Sequence, residues 1–122
     1  VPEPQERLMN PVNNLERTHD PDGVWRRYVN EQLSQYQSVF RASAQVFFMA
    51  PSIDAIVRWR FQQERELASR GGGSKMMTEI EIRQFVAYYE RITRWMLLEM
   101  AGRASVVVSL DEHHSIEHVQ VN

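Results

Sequence analysis

Three arginines, a glycine run and a histidine group are the stretches of this sequence whose residue types suit chemistry. Arg58, Arg60 and Arg65 fall on adjoining turns of one helical pattern. Planar guanidinium forks there suit a clamp that meets nucleotide phosphates as a lid closes, offsetting negative charge during phosphoryl transfer. Their spacing alone equally describes a solvated helix face paired with Glu64 and Glu66. Gly71-Gly72-Gly73-Ser74-Lys75 invites comparison with a phosphate loop. However, Ser74 separates Gly from Lys, Met76 stands where Ser or Thr belongs, and a helix rather than a strand precedes it, so it reads as a loop between helices. His113, His114 and His118, with Asp111, Glu112 and Glu117, have metal-binding chemistry. Adjacent histidines diverge in an extended chain, so this reads as a polar C-terminal segment and no metal ligand is assigned. No Ser/His/Asp set or aspartate pair has the spacing of a hydrolase, and no catalytic residue is assigned. Trp25, Trp59 and Trp95 sit on amphipathic patterns and read as core.

The elements that must position these groups can be read in order. Residues 1–20 hold Pro2, Pro4 and Pro11 and an Asn-rich turn, with no apolar period, and are expected to form an extended connecting arm. The rest of the chain, 21–122, is expected to be one folded unit. Asp20-Pro21-Asp22 has the form of a helix start, with Asp20 as N-cap and Pro21 at the first helical position. Trp25, Tyr28, Val29, Leu33, Tyr36 and Phe40 follow at three- and four-residue spacing, so the pattern predicts a helix over about 21–38. Ala44 to Ala50 is a continuous apolar run, as in a strand buried on both faces. Pro51 ends it, Ser52 can cap the next helix, and Ile53, Ile56, Val57 and Phe61 mark that helix's inner stripe. Thr78-Glu79-Ile80-Glu81 is a capping box. It opens a helix to about Met100, with Ile82, Phe85, Tyr89, Ile92 and Met96 on one stripe. Ser105 to Leu110 reads as a second apolar strand, and Ser115 to Val121 as a short edge strand or a frayed tail.

A strand–helix–helix–strand order places the two apolar strands parallel, as neighbours or with one strand between them. Two parallel strands cannot cover both faces or satisfy their outer edges. Further strands are therefore expected, either from an N-terminal half or from a second copy of the chain. The chain has 122 residues, a net charge of −2 and one lysine, Lys75, among its 14 basic residues. Neither a nucleic-acid partner nor an anionic membrane is called for by that balance. There is no apolar run of membrane-spanning length and no signal-peptide pattern at Val1-Pro2-Glu3-Pro4. Without cysteine, disulfides and thiolate metal sites are excluded, and a cytoplasmic location is expected.

Several blocks also resemble the D-glycerate 3-kinase family. They are Asn13-Asn14-Leu15-Glu16, Asp20-Pro21-Asp22-Gly23-Val24-Trp25-Arg26-Arg27-Tyr28-Val29-Asn30, and Ala50-Pro51-Ser52 followed by Trp59-Arg60-Phe61-Gln62-Gln63-Glu64. Phe85 through Trp95 and Leu110-Asp111 complete the likeness, in order and across nearly the whole chain. The resemblance implies an α/β fold: the C-terminal, lid-bearing part of a P-loop kinase three-layer fold, predominantly helical with two or three short strands. It implies ATP and Mg²⁺ as cofactors, both bound mainly by an N-terminal part upstream of Val1, and glycerate as substrate. It places Arg58 and Arg60 in the lid-like helix, as ATP-phosphate ligands. The rival expectation is a non-catalytic helical interaction module, folded as a strand-exchanged homodimer.

Overall fold

A computed structural model describes residues 1–71 and 75–122. Two short helices, α1 (Gln5–Leu8) and α2 (Asn14–His19), precede α3 (Val24–Gln35) and α4 (Gln37–Arg41). Strand β1 (Val46–Met49) leads into α5 (Ile53–Ser69) and α6 (Glu79–Glu99). A 3₁₀ turn at Met100–Gly102 then feeds β2 (Val106–Leu110) and β3 (Ile116–Val121). The chain is thus a small mixed α/β domain, predominantly helical, with one three-stranded sheet.

Sheet order is β1-β2-β3, with β1 and β2 parallel and β3 antiparallel to β2. The crossover through α5 and α6 makes β1 and β2 direct neighbours, in the register Phe47 to Val107. The tail is an edge strand rather than frayed, and a register shift at Ser109/Leu110 accommodates it. β2 is therefore flanked on both sides by its own chain, contrary to the expectation that both apolar strands lack neighbours. Among the described residues, the outer edges of β1 and β3 carry no further strand.

Local signals act where they were expected in the second half. The Ser52 hydroxyl accepts from the Ala55 amide and the Thr78 hydroxyl from the Glu81 amide, each satisfying a first-turn N–H. Two apolar clusters follow. Val57, Ile82 and Val86, with Ile53, Phe61 and Met77, join α5 to α6. Phe47, Ala104 and Val107, with Met49, Leu97 and Met100, seat the end of α6 on one sheet face.

On the other sheet face Val46 and Phe48 are each 58% exposed, and Val119 and Val121 are more than half exposed. β1 is therefore buried on one face, not on both as its composition suggested. The stripe expected inside α6 also differs. Ile82 is buried, but Phe85, Tyr89 and Met96 are exposed, and the buried positions are Val86 and Arg91. Apolar spacing marks a face that wants burial; among the described residues the elements do not bury all of it.

Residues 1–20 are not an extended arm. They form α1 and α2 and pack on the rest of the chain, with Glu3, Leu8 and Asp20 buried. Polar anchoring rather than an apolar period drives this packing. The helix expected from 21 begins at Val24, because residues 20–23 make a turn in which the Gly23 amide donates to the Asp20 carbonyl. Asp20 still caps α3 from that distance, its Oδ1 accepting from the Trp25 amide and its Oδ2 from the Arg26 amide. Gly23 is required there: its φ is +70°, and a Cβ would lie 3.0 Å from the Arg26 guanidinium. The helix also breaks at Tyr36, so that α4 is separate.

Candidate functional site

The structure places Arg58 and Arg60 on opposite sides of α5. Helical residues two positions apart differ by about 200° around the axis, so the two side chains leave α5 in opposed directions. Arg58 turns toward the β2–β3 connection and pairs with the Glu112 carboxylate, both side chains being more than half exposed. Arg60 turns toward α6. Its Nη1 donates to Gln63, 2.8 Å away, and its Nη2 pairs with Glu64 at 2.8 Å. Its Cζ also lies 5.7 Å from the centre of the Phe85 ring. Arg65 is exposed near the distal end of α5.

Arg58 belongs to a latch between α5 and the turn that follows β2. Asp111 Oδ1 accepts from the His113 and Ser115 amides, each at 2.9 Å, which closes the turn and sets His114 at φ 64°. In that conformation the His114 ring stacks on Trp59, with centroids 4.3 Å apart and planes 13° from parallel. Trp59 Nε1 donates to the Glu112 carbonyl at 3.1 Å. Trp59 is therefore half-buried rather than core, and with Arg58 it holds α5 to the end of the sheet. His114 is occupied by this stack, and among the described residues no group of three or more His, Cys, Asp or Glu can hold a metal ion. The Gly72-Gly73-Ser74 part of the glycine run lies outside the described residues.

A concave feature lies elsewhere, between α3, α4 and α6. It is an open groove of about 850 Å³ that reaches the start of β1 and is lined by Trp25, Leu33, Val46, Phe47, Ile92 and Met96, among others. Its polar end is held by two buried arginines that the sequence reading did not single out. Arg91 Nε and Nη2 donate to the two Glu16 carboxylate oxygens at 2.7 and 2.8 Å. Its Nη1 donates to Glu3 Oε2 and the Arg7 carbonyl at 3.1 Å, and Nη2 reaches the Asn10 carbonyl at 2.6 Å. Arg26 Nε donates to the Leu8 carbonyl and Nη1 to the Asp20 carbonyl, both at 2.6 Å. Asn30 completes the anchor by exchanging two hydrogen bonds with the Glu3 backbone.

Burial alone would raise the Glu16 carboxyl. The Arg91 hydrogen bonds, the Val12 amide and the Arg91 charge outweigh it and hold Glu16 below its ordinary range. Asp20 follows the same balance: burial opposes ionisation, but the Trp25 and Arg26 amides and the Arg26 charge leave it lowered. Arg91 is raised, chiefly by its hydrogen bonds to Glu16 against the opposing effect of burial. These charges are satisfied internally, and no buried side-chain N or O among the described residues lacks a hydrogen-bond partner. The groove thus offers apolar walls and a neutralised polar end, not a vacant anion site.

The two blocks that carry Glu16 and Arg91 are far apart in sequence and joined in space, which no local spacing discloses. Asn13 adds to the joint through its side-chain amide, which donates to the Ala87 carbonyl and to Glu90. No helix among the described residues is long and apolar enough to cross a membrane. Comparison with protein-family models, with curated proteins and with solved structures finds no match for this chain.

Proposed function

We propose that this chain is the C-terminal, lid-bearing part of an ATP-dependent small-molecule kinase of the P-loop class, acting on D-glycerate in the cytoplasm. The observation that supports this reading best is the parallel β1–β2 pair, open at its β1 edge and joined by a crossover whose first helix carries Arg58 at an exposed position. ATP and Mg²⁺ would be held mainly by an upstream half containing the phosphate loop. A glycerate hydroxyl then attacks the γ-phosphorus in line. The new O–P bond forms as the bond to the β-phosphate oxygen breaks, and the hydroxyl proton passes to a base in the upstream half.

In this reading Arg58 exchanges the exposed Glu112 carboxylate for a phosphate oxygen as α5 closes. An exposed ion pair is worth at most about 1 kcal/mol, so a multiply charged phosphate competes with it readily. Arg60 contributes from the other face of α5, by holding the helix against Glu64 and Phe85. The test is ATP-dependent formation of phosphoglycerate by the polypeptide that joins this chain to its upstream half. Transfer to D-glycerate supports the reading; a folded, ATP-binding polypeptide that phosphorylates no hydroxy acid refutes it. The rival homodimer module is favoured only if the isolated chain has a dimer mass by light scattering.

A further inference from the structure

We infer that the groove between α3, α4 and α6 is a binding site for one free long-chain fatty acid, with the acyl chain along the apolar walls and the carboxylate at Arg41 and Arg103. Each wall carries, in chain order, a buried arginine, apolar side chains and an exposed arginine. On the α3–α4 wall these are Arg26, Val29 with Leu33, and Arg41; on the α6 wall they are Arg91, Ile92 with Met96, and Arg103. The buried arginines lie at one end, where both hold the N-terminal segment. The exposed pair lies at the other end, since Arg41 precedes β1, Arg103 precedes β2, and the two strand starts are joined. There the Ser105 hydroxyl accepts from the Gln45 amide at 3.3 Å, and the Gln45 carbonyl accepts from the Val106 amide at 3.1 Å.

Charge and shape define the occupant. Arg26 and Arg91 are engaged by carbonyls and carboxylates, so their end of the groove takes no ion. At the other end Arg103 pairs with Glu99 at 3.0 Å. Arg41 has no carboxylate partner among the described residues. Two guanidinium groups against one carboxylate leave one positive charge, which matches a single fatty-acid carboxylate, and a guanidinium fork can hold that group bidentately. Arg91 and Arg103 are separated by about 18 Å of helical rise, a span that suits one extended alkyl chain, and the groove volume of about 850 Å³ is that of a small-ligand cleft. A cationic amphiphile would set its head group against two arginines. The apolar surface is recessed between helices rather than projecting, so a single free chain fits it and a bilayer surface does not. The site uses only residues of this chain, and it goes beyond the kinase reading without resting on it.

The test is titration of the full chain with dodecanoate, below its micelle concentration, followed by calorimetry and NMR. Shifts should concentrate at the Trp25 indole and at the amides of Leu33 and Met96. Affinity should rise about fourfold per methylene from octanoate to dodecanoate, and dodecyltrimethylammonium should bind at least tenfold more weakly than dodecanoate. The double variant Arg41→Gln, Arg103→Gln should lose at least tenfold in affinity for dodecanoate and erase the difference between the two head groups. Arg41→Gln alone serves if the pair does not fold, with a loss of at least threefold. Equal binding of the two amphiphiles by the parent, an unchanged affinity in the variants, or shifts confined to the exposed sheet face at Val119 and Val121 overturns the proposal. So does binding only to vesicles that contain phosphatidylserine, because the arginines then belong to a membrane surface. A dimer mass that dodecanoate leaves unchanged overturns it too, because the groove is then filled by a second copy. Phosphoryl transfer to glycerate bears on the kinase reading alone, so the two ideas fail separately.

Discussion

Arg91 draws its carboxylate partners, Glu3 and Glu16, from the opposite end of the chain, and it is only 8% exposed. Truncating it would leave two carboxylates in a desolvated site with their counter-charge gone. Arg91→Ala should therefore cost about 3–5 kcal/mol in urea-induced unfolding. Arg91→Lys should recover only part of this loss, because one ammonium cannot reproduce the five directed bonds of the guanidinium. The same network sets an acid limit. Glu16 and Asp20 both titrate below their ordinary values of 4.5 and 3.8 in the folded chain. Their contribution is thus fully present at neutral pH and begins to fall as pH drops through those ordinary values. It is gone below the folded values. Unfolding midpoints measured between pH 7 and pH 3 should show the decline starting near pH 4.5, with a weaker decline in Glu16→Gln. Arg91, being raised, adds no pH dependence in this range.

At the scale of elements, α5 is held by contacts of unequal strength. The stacked Trp59–His114 pair is worth about 0.5–1.5 kcal/mol beyond its buried area, whereas the exposed Arg58–Glu112 pair adds less than about 1 kcal/mol. His114→Ala should accordingly loosen α5, seen as faster amide exchange over Ile53–Ser69. Arg58→Ala should leave global stability within about 1 kcal/mol and, in the intact kinase of the proposed reading, lower kcat/KM for ATP at least tenfold. An Arg58→Ala enzyme within twofold of the parent would remove Arg58 from the phosphate site.

These elements also show what was legible in the chain. The caps at Ser52 and Thr78 act within three residues, so they could be read directly, as could the parallel crossover that chain order imposes. The Asp20 turn was only half legible, since the cap residue was right but its reach extends to Trp25 and Arg26. The packed N-terminal segment was not legible, because Glu16 and Arg91 are joined across most of the chain and leave no periodic trace. The opposed directions of Arg58 and Arg60 follow from helix geometry, but their partners Glu112 and Phe85 come from other elements.

For the molecule as a whole, apolar surface exceeds what the described elements cover. Val46, Phe48, Val119 and Val121 lie open on one sheet face, and Trp25, Tyr28 and Tyr36 remain exposed along α3. On that sheet face the edge strands β1 and β3 are uncovered, whereas Val108 of the central β2 is buried. A polar-anchored N-terminal segment and a well-packed α5–α6 pair hold the chain together around that open side.

The most direct measurement is the amide exchange of Val46 and Phe48 in the isolated chain, compared with that of Phe47 and Met49. Rapid exchange at Val46 and Phe48 in the isolated monomer, with Phe47 and Met49 protected by β2, is the expected result. If Val46 and Phe48 are already protected in the isolated monomer, β1 has no open edge and this account of the sheet is contradicted.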